Sequence, residues 1–570
     1  MLNRRDFLKW AGAGLAAAAA PLAGCEPSEG RRASAAESGA ATAPRKPNFL
    51  VIVMDDMGYS DPGCYGGEVA TPNIDRLAAG GIRFTQCYST ARCWPSRACL
   101  LTGYYAQQVR RDTLPGLGGG TGGKRPAWAR LLPEMLKPLG YRSYHSGKWH
   151  VDGQPLGTGF DRSYEYGDSD HHFLPAKKLA EIDPPLEPAG PEGYYASTAA
   201  ADQAIRFLRD HAANFAGRPF FQYLAFTEPH FPVQALQADI DRYRQRYLVG
   251  WDAIRQERWK PMTEMGLINC PLSRPDPDIF PSHNLKPEDL KARIGPGEVP
   301  KAVPWSDLTD EQKRFQATKM AIHAAMVDRA DREIGRVLEQ VKAMGAMDDT
   351  VIFFVSDNGA SAEQMIRGGG HDPAAPLGSA KSYVCLGPGW STASNTPFRL
   401  HKAWVHEGGI SSPLIIHWPA GLKTRGELRR DVCHFVDIPP TLVELAGGRW
   451  PEKWGDTPVP PPPGLSLTPA LAKDGGIKHE FLWWFHQGNR AIRMGDLKLV
   501  SAGAEGPWEL YDLRSDRCES SNLAEKQPEK VKELSERWTS FMEDCKRLAT
   551  SDGQAPAAGG GGEKRKGKKG

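Results

Sequence analysis

Three stretches of this chain are mostly apolar: Asn48–Met54, 219–226 and Thr350–Ser356. Apolar runs of this length without alternation predict strands buried on both faces. Residues 141–145 and 413–418 are shorter strand candidates. Between them the spacing of apolar positions predicts helices over 73–79, opened by Thr71-Pro72, over 199–213, and over 310–344. The last begins at Thr309 with Gln312 three residues on, a capping-box arrangement. Strands alternating with helices imply an α/β fold, a large mostly parallel or mixed sheet flanked by helices, with its ligand site beyond the carboxyl ends of the strands. Four of the five strand candidates deliver polar groups there: Asp55-Asp56, Lys148-Trp149-His150, Glu228-Pro229-His230 and Asp357-Asn358-Gly359.

The pattern changes after the prolines at 458–463. Short apolar stretches at 481–485, 491–493, 497–500 and 509–511, set apart by turn residues, predict an antiparallel sheet, and a helix follows at Pro528–Ala549. The expected organisation is a catalytic domain over 47–456, a smaller C-terminal α+β domain over 464–549, and a disordered Gly-rich basic tail over 550–570.

Composition agrees with a soluble globular chain: 570 residues, 40% hydrophobic and 24% charged. The 61 glycines and 47 prolines argue against a helical bundle. The formal charge of +3 resides in the ends. Residues 563–570 hold five basic residues against Glu563, and residues 1–24 hold Arg4, Arg5 and Lys9 against Asp6, which leaves about −3 for the body. A nucleic-acid footprint on the folded body is therefore not expected.

Residues 1–25 join a charged stretch to a short Ala/Gly/Leu run too weak to span a bilayer, so they predict an export signal. Arg4-Arg5 ahead of Asp6-Phe7-Leu8-Lys9 resembles the twin-arginine signal, a receptor-read address. Leu22-Ala23-Gly24-Cys25 resembles a lipoprotein box, so a lipid on Cys25 is the expected route, if any, to a membrane; 26–46 fits a flexible tether. The expected location is the periplasm, or a lipid anchor at the cell surface. No CxxC or metal-finger spacing occurs among the cysteines, and disulfide pairing stays open.

Cys93-Trp94-Pro95-Ser96-Arg97 opens a predicted helix with Pro95 in its first turn. A cysteine at that place meets the helix dipole and free amides, which favour an anion. Asp55, Asp56, Asp357 and Asn358 supply three carboxylates and an amide from two strand ends, an all-oxygen set that suits Ca²⁺, less readily Mg²⁺.

The Cys93–Arg97 segment resembles the C-x-P-S-R signature of the sulfatase family, whose cysteine is converted after translation to formylglycine. The resemblance runs from about residue 47 to 545. It includes Asp55-Asp56, Thr71-Pro72-Asn73-Ile74-Asp75, Gly147-Lys148-Trp149-His150, Asp357-Asn358-Gly359, Phe398-Arg399 with Lys402, Glu407-Gly408-Gly409 and Glu509-Leu510-Tyr511-Asp512-Leu513. It implies hydrolysis of sulfate esters to sulfate and an alcohol or phenol. Modified Cys93 would complete the shell of one Ca²⁺ per chain with Asp55, Asp56, Asp357 and Asn358. Arg97 and Lys148 would orient the hydrated aldehyde, and His150 would deprotonate its second hydroxyl. His230 would act as acid on the leaving-group side, and Lys402 would contact the sulfate. The implied partners are a sulfated small molecule or glycan, a formylglycine-generating maturation enzyme and the twin-arginine export machinery. The chain departs from the usual family pattern at Leu400-His401, at His406 before Glu407, and at Val151-Asp152. These departures bear on pocket shape and subfamily.

His171, His172, Trp390 and Asn395, in loops that reach the same strand ends, are weighed as substrate contacts against plain packing. Two other readings compete: a phosphate or phosphonate monoester hydrolase of the wider alkaline phosphatase-like superfamily, and an inactive binding protein on this scaffold. The first commonly carries two zinc ions on several histidines, and Asn358 together with the lack of paired metal-ligand histidines fits one hard ion better. The second predicts decay of site residues that are all present here.

Overall fold

Alternation along β1 (Asn48–Met54) divides the interior into two cores. Its even-numbered residues Leu50, Ile52 and Met54 join the apolar cluster on one face of the main sheet, and Phe49, Val51 and Val53 join the cluster on the other. A strand covered on both faces has no polar side, which is why it reads as a continuous apolar run. These features come from a computed structural model, which describes residues 46–166, 171–175, 193–368 and 370–553. The export segment, nearly all of the expected tether and the end of the basic tail lie outside the described residues.

The remaining strands of the sheet are β2 (Ile82–Tyr88), β3 (Arg142–Lys148), β4 (Arg162–Tyr166), β5 (Phe220–Ala225), β6 (Thr350–Ser356), β7 (Ser411–His417) and β8 (Glu427–His434). Their order is β4-β3-β5-β1-β6-β7-β2-β8. β7 alone runs antiparallel to its neighbours β6 and β2, so the sheet is mixed and mostly parallel, as expected. The five sequence-predicted strands are β1, β3, β5, β6 and β7. The sequence reading missed β2, β4 and β8, whose residues mix polar with apolar; β4 and β8 are the two edges, where a half-exposed strand needs no apolar run.

Helices Ala196–Asn214 and Asp310–Ala343 cover the first face. The capping box at Thr309 forms, with Gln312 N donating to Thr309 Oγ1 at 3.2 Å and Thr309 N to Gln312 Oε1 at 2.9 Å. Helix Trp251–Glu264 escaped the sequence reading, because it carries Pro261 and is polar on most sides, burying Trp251, Ile254 and Met262.

Beyond a two-residue ribbon, β9 (Lys453–Trp454) with β10 (Thr457–Pro458), the expected antiparallel sheet forms as a meander. Its strands are β11 (Leu482–His486), β12 (Asn489–Met494), β13 (Leu497–Ser501) and β14 (Glu509–Asp512), followed by helix Pro528–Ala549. Trp483, Ile492, Leu499 and Trp538 enter the same apolar cluster as Phe49 and Val51, so this sheet closes the second core. Buried Glu407, just ahead of β7, ties the parts together: its carboxylate accepts from Lys498 Nζ at 3.0 Å, Tyr88 Oη at 3.0 Å and Arg517 Nη2 at 3.2 Å.

Candidate active site

Strand register brings the acidic residues together. Met54 pairs with Ser356, and beyond that pair Asp357 N donates to Met54 O and Asp55 N donates to Glu228 O, both at 3.0 Å. Asp55, Asp357 and the Glu228–His230 loop therefore leave three adjacent strands side by side. Asp56 turns away with φ +64°, and His150, past the end of β3, has φ +57°. Left-handed backbone at non-glycine residues costs about 1 kcal/mol or more and persists where surrounding structure imposes it. The loop of Asp357-Asn358-Gly359 packs on that of Glu407-Gly408-Gly409, where Gly359 N donates to Gly409 O at 3.1 Å; a Cβ on Gly359 would lie 1.9 Å from Gly408 O. Glycine is required by that approach.

Three cations and the imidazole of His230 meet these carboxylates. Lys148 Nζ lies 2.5 Å from Asp55 Oδ2, and Arg97 Nη2 lies 3.6 Å from it. Arg97 Nε donates to Asp357 Oδ2 at 2.9 Å and Nη1 to Lys148 O at 3.0 Å. Lys402 Nζ is 2.7 Å from the Asp56 carboxylate, and His230 Nε2 is 3.6 Å from Asp56 Oδ2. Asn358 Nδ2 donates to Asp56 Oδ1 at 2.7 Å. Cys93 starts helix Cys93–Thr102, and its Sγ clusters within 4.8 Å with oxygens of Asp55 and Asp357. Ser96 holds the preceding turn, accepting from Thr90 N at 3.0 Å. The sequence-predicted residues Asp55, Asp56, Cys93, Arg97, Lys148, His230, Asp357, Asn358 and Lys402 thus share one buried site. His150 stands at its rim, ring to ring with Trp94 at 5.7 Å.

Two buried acceptors in this cluster, Asp55 Oδ1 and Asn358 Oδ1, have no hydrogen-bond partner among the described residues. Such oxygens are costly to bury alone, and a hard cation bound by Asp55, Asp56, Asp357 and Asn358 satisfies them. The donor set fits the ion.

Electrostatics follow from burial and crowding. Burial opposes ionisation of Asp55, but Lys148, His230, Arg97 and Lys402 outweigh it and hold the carboxyl well below its usual range. Burial and the neighbouring Asp55 charge push Asp357 up to about 7. Burial raises the Cys93 thiol to about 11 in spite of Lys148 and Lys402, so the helix terminus does not make this thiol an anion. Burial and Lys402 bring His230 down to about 4.

The loop candidates divide. His172 is buried, its Nε2 3.0 Å from His230 O and its Nδ1 3.4 Å from Glu228 Oε1, so it supports the His230 loop from behind. Trp390 is core: it packs among Trp251, Trp305 and Tyr247 and donates from Nε1 to Gln316 O at 2.7 Å. Asn395 is a brace, its Oδ1 accepting from Ala360 N at 2.8 Å. His171 packs beside Tyr383. Neither Trp390 nor Asn395 is a substrate contact, because each spends its polar groups on backbone inside the fold.

Sequence reasoning missed Glu363 and Arg92. Glu363 lies 3.4 Å from Lys402 Nζ and accepts from Arg92 Nη2 at 2.9 Å. The signal was available, since both flank recognised residues, five after Asn358 and one before Cys93.

Among known proteins, residues 47–448 match the Sulfatase family, and residues 1–21 match the twin-arginine translocation pathway signal sequence. An uncharacterized sulfatase of Schizosaccharomyces pombe is 34% identical, covering 87% of this chain and 93% of that protein. An arylsulfatase of Klebsiella aerogenes is 30% identical, covering 74% of this chain and 91% of its own. The crystal structure of Ps i-CgsB in complex with k-i-k-neocarrahexaose superposes with a TM-score of 0.61 at 22% identity, covering 90% of this chain and 95% of that one, and supports the fold. The chain carries an export signal and belongs to the sulfatase family of sulfate ester hydrolases.

Proposed function

We propose that this enzyme cleaves sulfate esters with a formylglycine made from Cys93 and a Ca²⁺ held by Asp55, Asp56, Asp357 and Asn358. The observation that carries the reading is the convergence of four oxygen-donor side chains, two with unpartnered buried oxygens, on the residue that starts helix Cys93–Thr102. Bound there, the ion supplies Lewis acidity at a sulfuryl oxygen, and the hydrated aldehyde supplies one hydroxyl for attack and a second for release of sulfate.

The protein's own groups do the rest. Arg97, anchored by Asp357 and the Lys148 carbonyl, and Lys148, on Asp55, hold fixed positive charge beside Cys93. Preorganised cations of this kind stabilise charge that develops on transferring oxygens. His150, at the rim, removes the proton that starts sulfate release. His230 faces the departing oxygen. Its Nδ1 is 2.6 Å from Phe231 O, so that nitrogen carries a proton and Nε2 is the one left to exchange. A sulfate anion bound beside it favours the protonated imidazole, which then donates from Nε2 to the leaving alcohol. Lys402 binds the sulfate from the same side.

The export signal supports a working location in the periplasm or, with a lipid on Cys25, at the cell surface. A formylglycine-generating enzyme of the host matures Cys93. The substrate is a sulfated small molecule or glycan.

The test is the mass of the Cys93–Arg97 peptide from the native host together with metal replacement. The aldehyde mass is expected, with activity lost to a chelator and restored by Ca²⁺ better than by Zn²⁺. An unmodified thiol in active enzyme sinks the formylglycine reading, and faster turnover of phosphate esters with Zn²⁺ sinks the calcium one.

A further inference from the structure

The reaction described above leaves Arg92 without a task. Arg92 immediately precedes Cys93, and its guanidinium makes one side-chain bond, Nη2 to Glu363 Oε1 at 2.9 Å, with its carbon 5.3 Å from the centre of the Trp94 ring. Its Nε and Nη1 are buried and have no hydrogen-bond partner among the described residues. The side chain is 9% exposed. Buried guanidinium donors left unmatched are costly, and they mark a place where an oxyanion fits.

Depth along this cluster shows which part of a substrate such an anion belongs to. Glu363 links Lys402, 3.4 Å away and 1% exposed, to Arg92 and to His283, whose Nε2 lies 2.9 Å from Glu363 Oε1 and whose side chain is 42% exposed. The series Lys402, Glu363, Arg92, His283 therefore climbs from the floor of the site to solvent. A sulfuryl group must reach the floor, at Cys93, so the alcohol part of the ester extends upward past Arg92. Lys402 has its nearer carboxylate in Asp56, at 2.7 Å, so Glu363 is the one acidic partner of Arg92 and takes up only Nη2 of its fork. Burial opposes the Arg92 cation, and Glu363 foremost, with Asp56 further off, outweighs it.

We propose that Arg92 is a second anion-binding group of this site, taking a carboxylate or a second sulfate carried on the alcohol part of the substrate. Glu363 is its positioning residue, fixing the fork through Nη2 so that Nε and Nη1 stay available. The proposal rests on the reading of Cys93 as the point of attack. It makes the preferred substrate a sulfate ester whose alcohol is itself acidic.

Binding tests it without turnover. The Cys93→Ala full-length protein in Ca²⁺ buffer is titrated calorimetrically with 3-(carboxymethyl)phenyl sulfate and with the matching uncharged amide, and with resorcinol bis-sulfate against its monosulfate. One charge-assisted contact predicts that the acidic member of at least one pair binds about tenfold or more tightly. The pair with the larger ratio tells carboxylate from sulfate. Adding Arg92→Gln should bring that ratio close to one, and Arg92→Lys, which keeps the charge and loses the fork, should restore part of it. No preference in the parent protein overturns the proposal without any change at Arg92. A preference that survives Arg92→Gln also overturns it, as does an equal loss for both members of a pair. If the matured enzyme turned over no ester while these ratios held, the formylglycine reading would fall and the Arg92 site would stand.

Discussion

Gly147→Ala should disable the enzyme from a position that contributes no side chain. Gly147 lies next to the end of β3, paired with Ala225 of β5, and has φ +111°. A Cβ there would stand 1.9 Å from Ala225 O, and reaching the 3.0 Å that real Cβ atoms keep requires about 1.1 Å of separation between two strand ends. Both ends carry the site. Moving β3 displaces Lys148, whose carbonyl holds Arg97 and whose Nζ holds Asp55, and moving β5 displaces the loop to His230. Left-handed backbone adds about 1–2 kcal/mol of strain for a residue with a Cβ. A misplacement of about 1 Å costs on the order of a hundredfold in rate, so kcat should fall by about that factor. The assay is steady-state hydrolysis of 4-nitrophenyl sulfate, with urea unfolding alongside to show that the variant is folded. Gly147→Ala with kcat within about threefold of the parent would refute the reasoning, since about 1.4 kcal/mol separates each factor of ten.

Cys93→Ser should attack a sulfate ester once and stop, because a single serine hydroxyl gives His150 no second proton to remove; released alcohol at high enzyme concentration should show a burst, and intact mass a retained sulfate, whereas sustained turnover refutes the two-hydroxyl mechanism. Glu407→Gln should destabilise the fold by about 3–5 kcal/mol, because it leaves buried Arg517 without its carboxylate and Lys498 with Glu519 alone, and a urea midpoint equal to the parent's contradicts this. Burial disfavours the Glu407 anion, but Lys498 and Arg517 outweigh it and hold the carboxyl at about 2, below its ordinary value near 4.5. Its contribution is therefore complete above pH ~4.5 and lost as pH falls toward 2, so the parent and Glu407→Gln stabilities should converge only in that acid window. His172→Phe should loosen the His230 loop and lower kcat about tenfold with little change in Tm; an unchanged kcat would show that the 3.0 Å contact to His230 O carries no catalytic weight.

By itself the sequence determined the central strands, the capped long helix, the C-terminal meander and the residue types at the strand ends. A strand buried on both faces must be apolar throughout, and a strand end facing a ligand must break into polar residues, so β1, β5 and β6 announced both the sheet and Asp55, Asp56, His230, Asp357 and Asn358. Resemblance to the sulfatase motifs added Cys93, Arg97, Lys148, His150 and Lys402. Edge strands β4 and β8 stayed hidden, because one exposed flank removes the pattern that betrays a buried strand. Tertiary structure alone decided which polar residues have work left to do. Trp390 and Asn395 looked as available as His172 in the sequence, yet two spend their polar groups inside the fold and the third braces His230. Glu363 and Arg92 were marked only by their place beside recognised residues. Their meaning comes from a 2.9 Å ion pair across 271 positions of chain, which no pattern of near neighbours encodes.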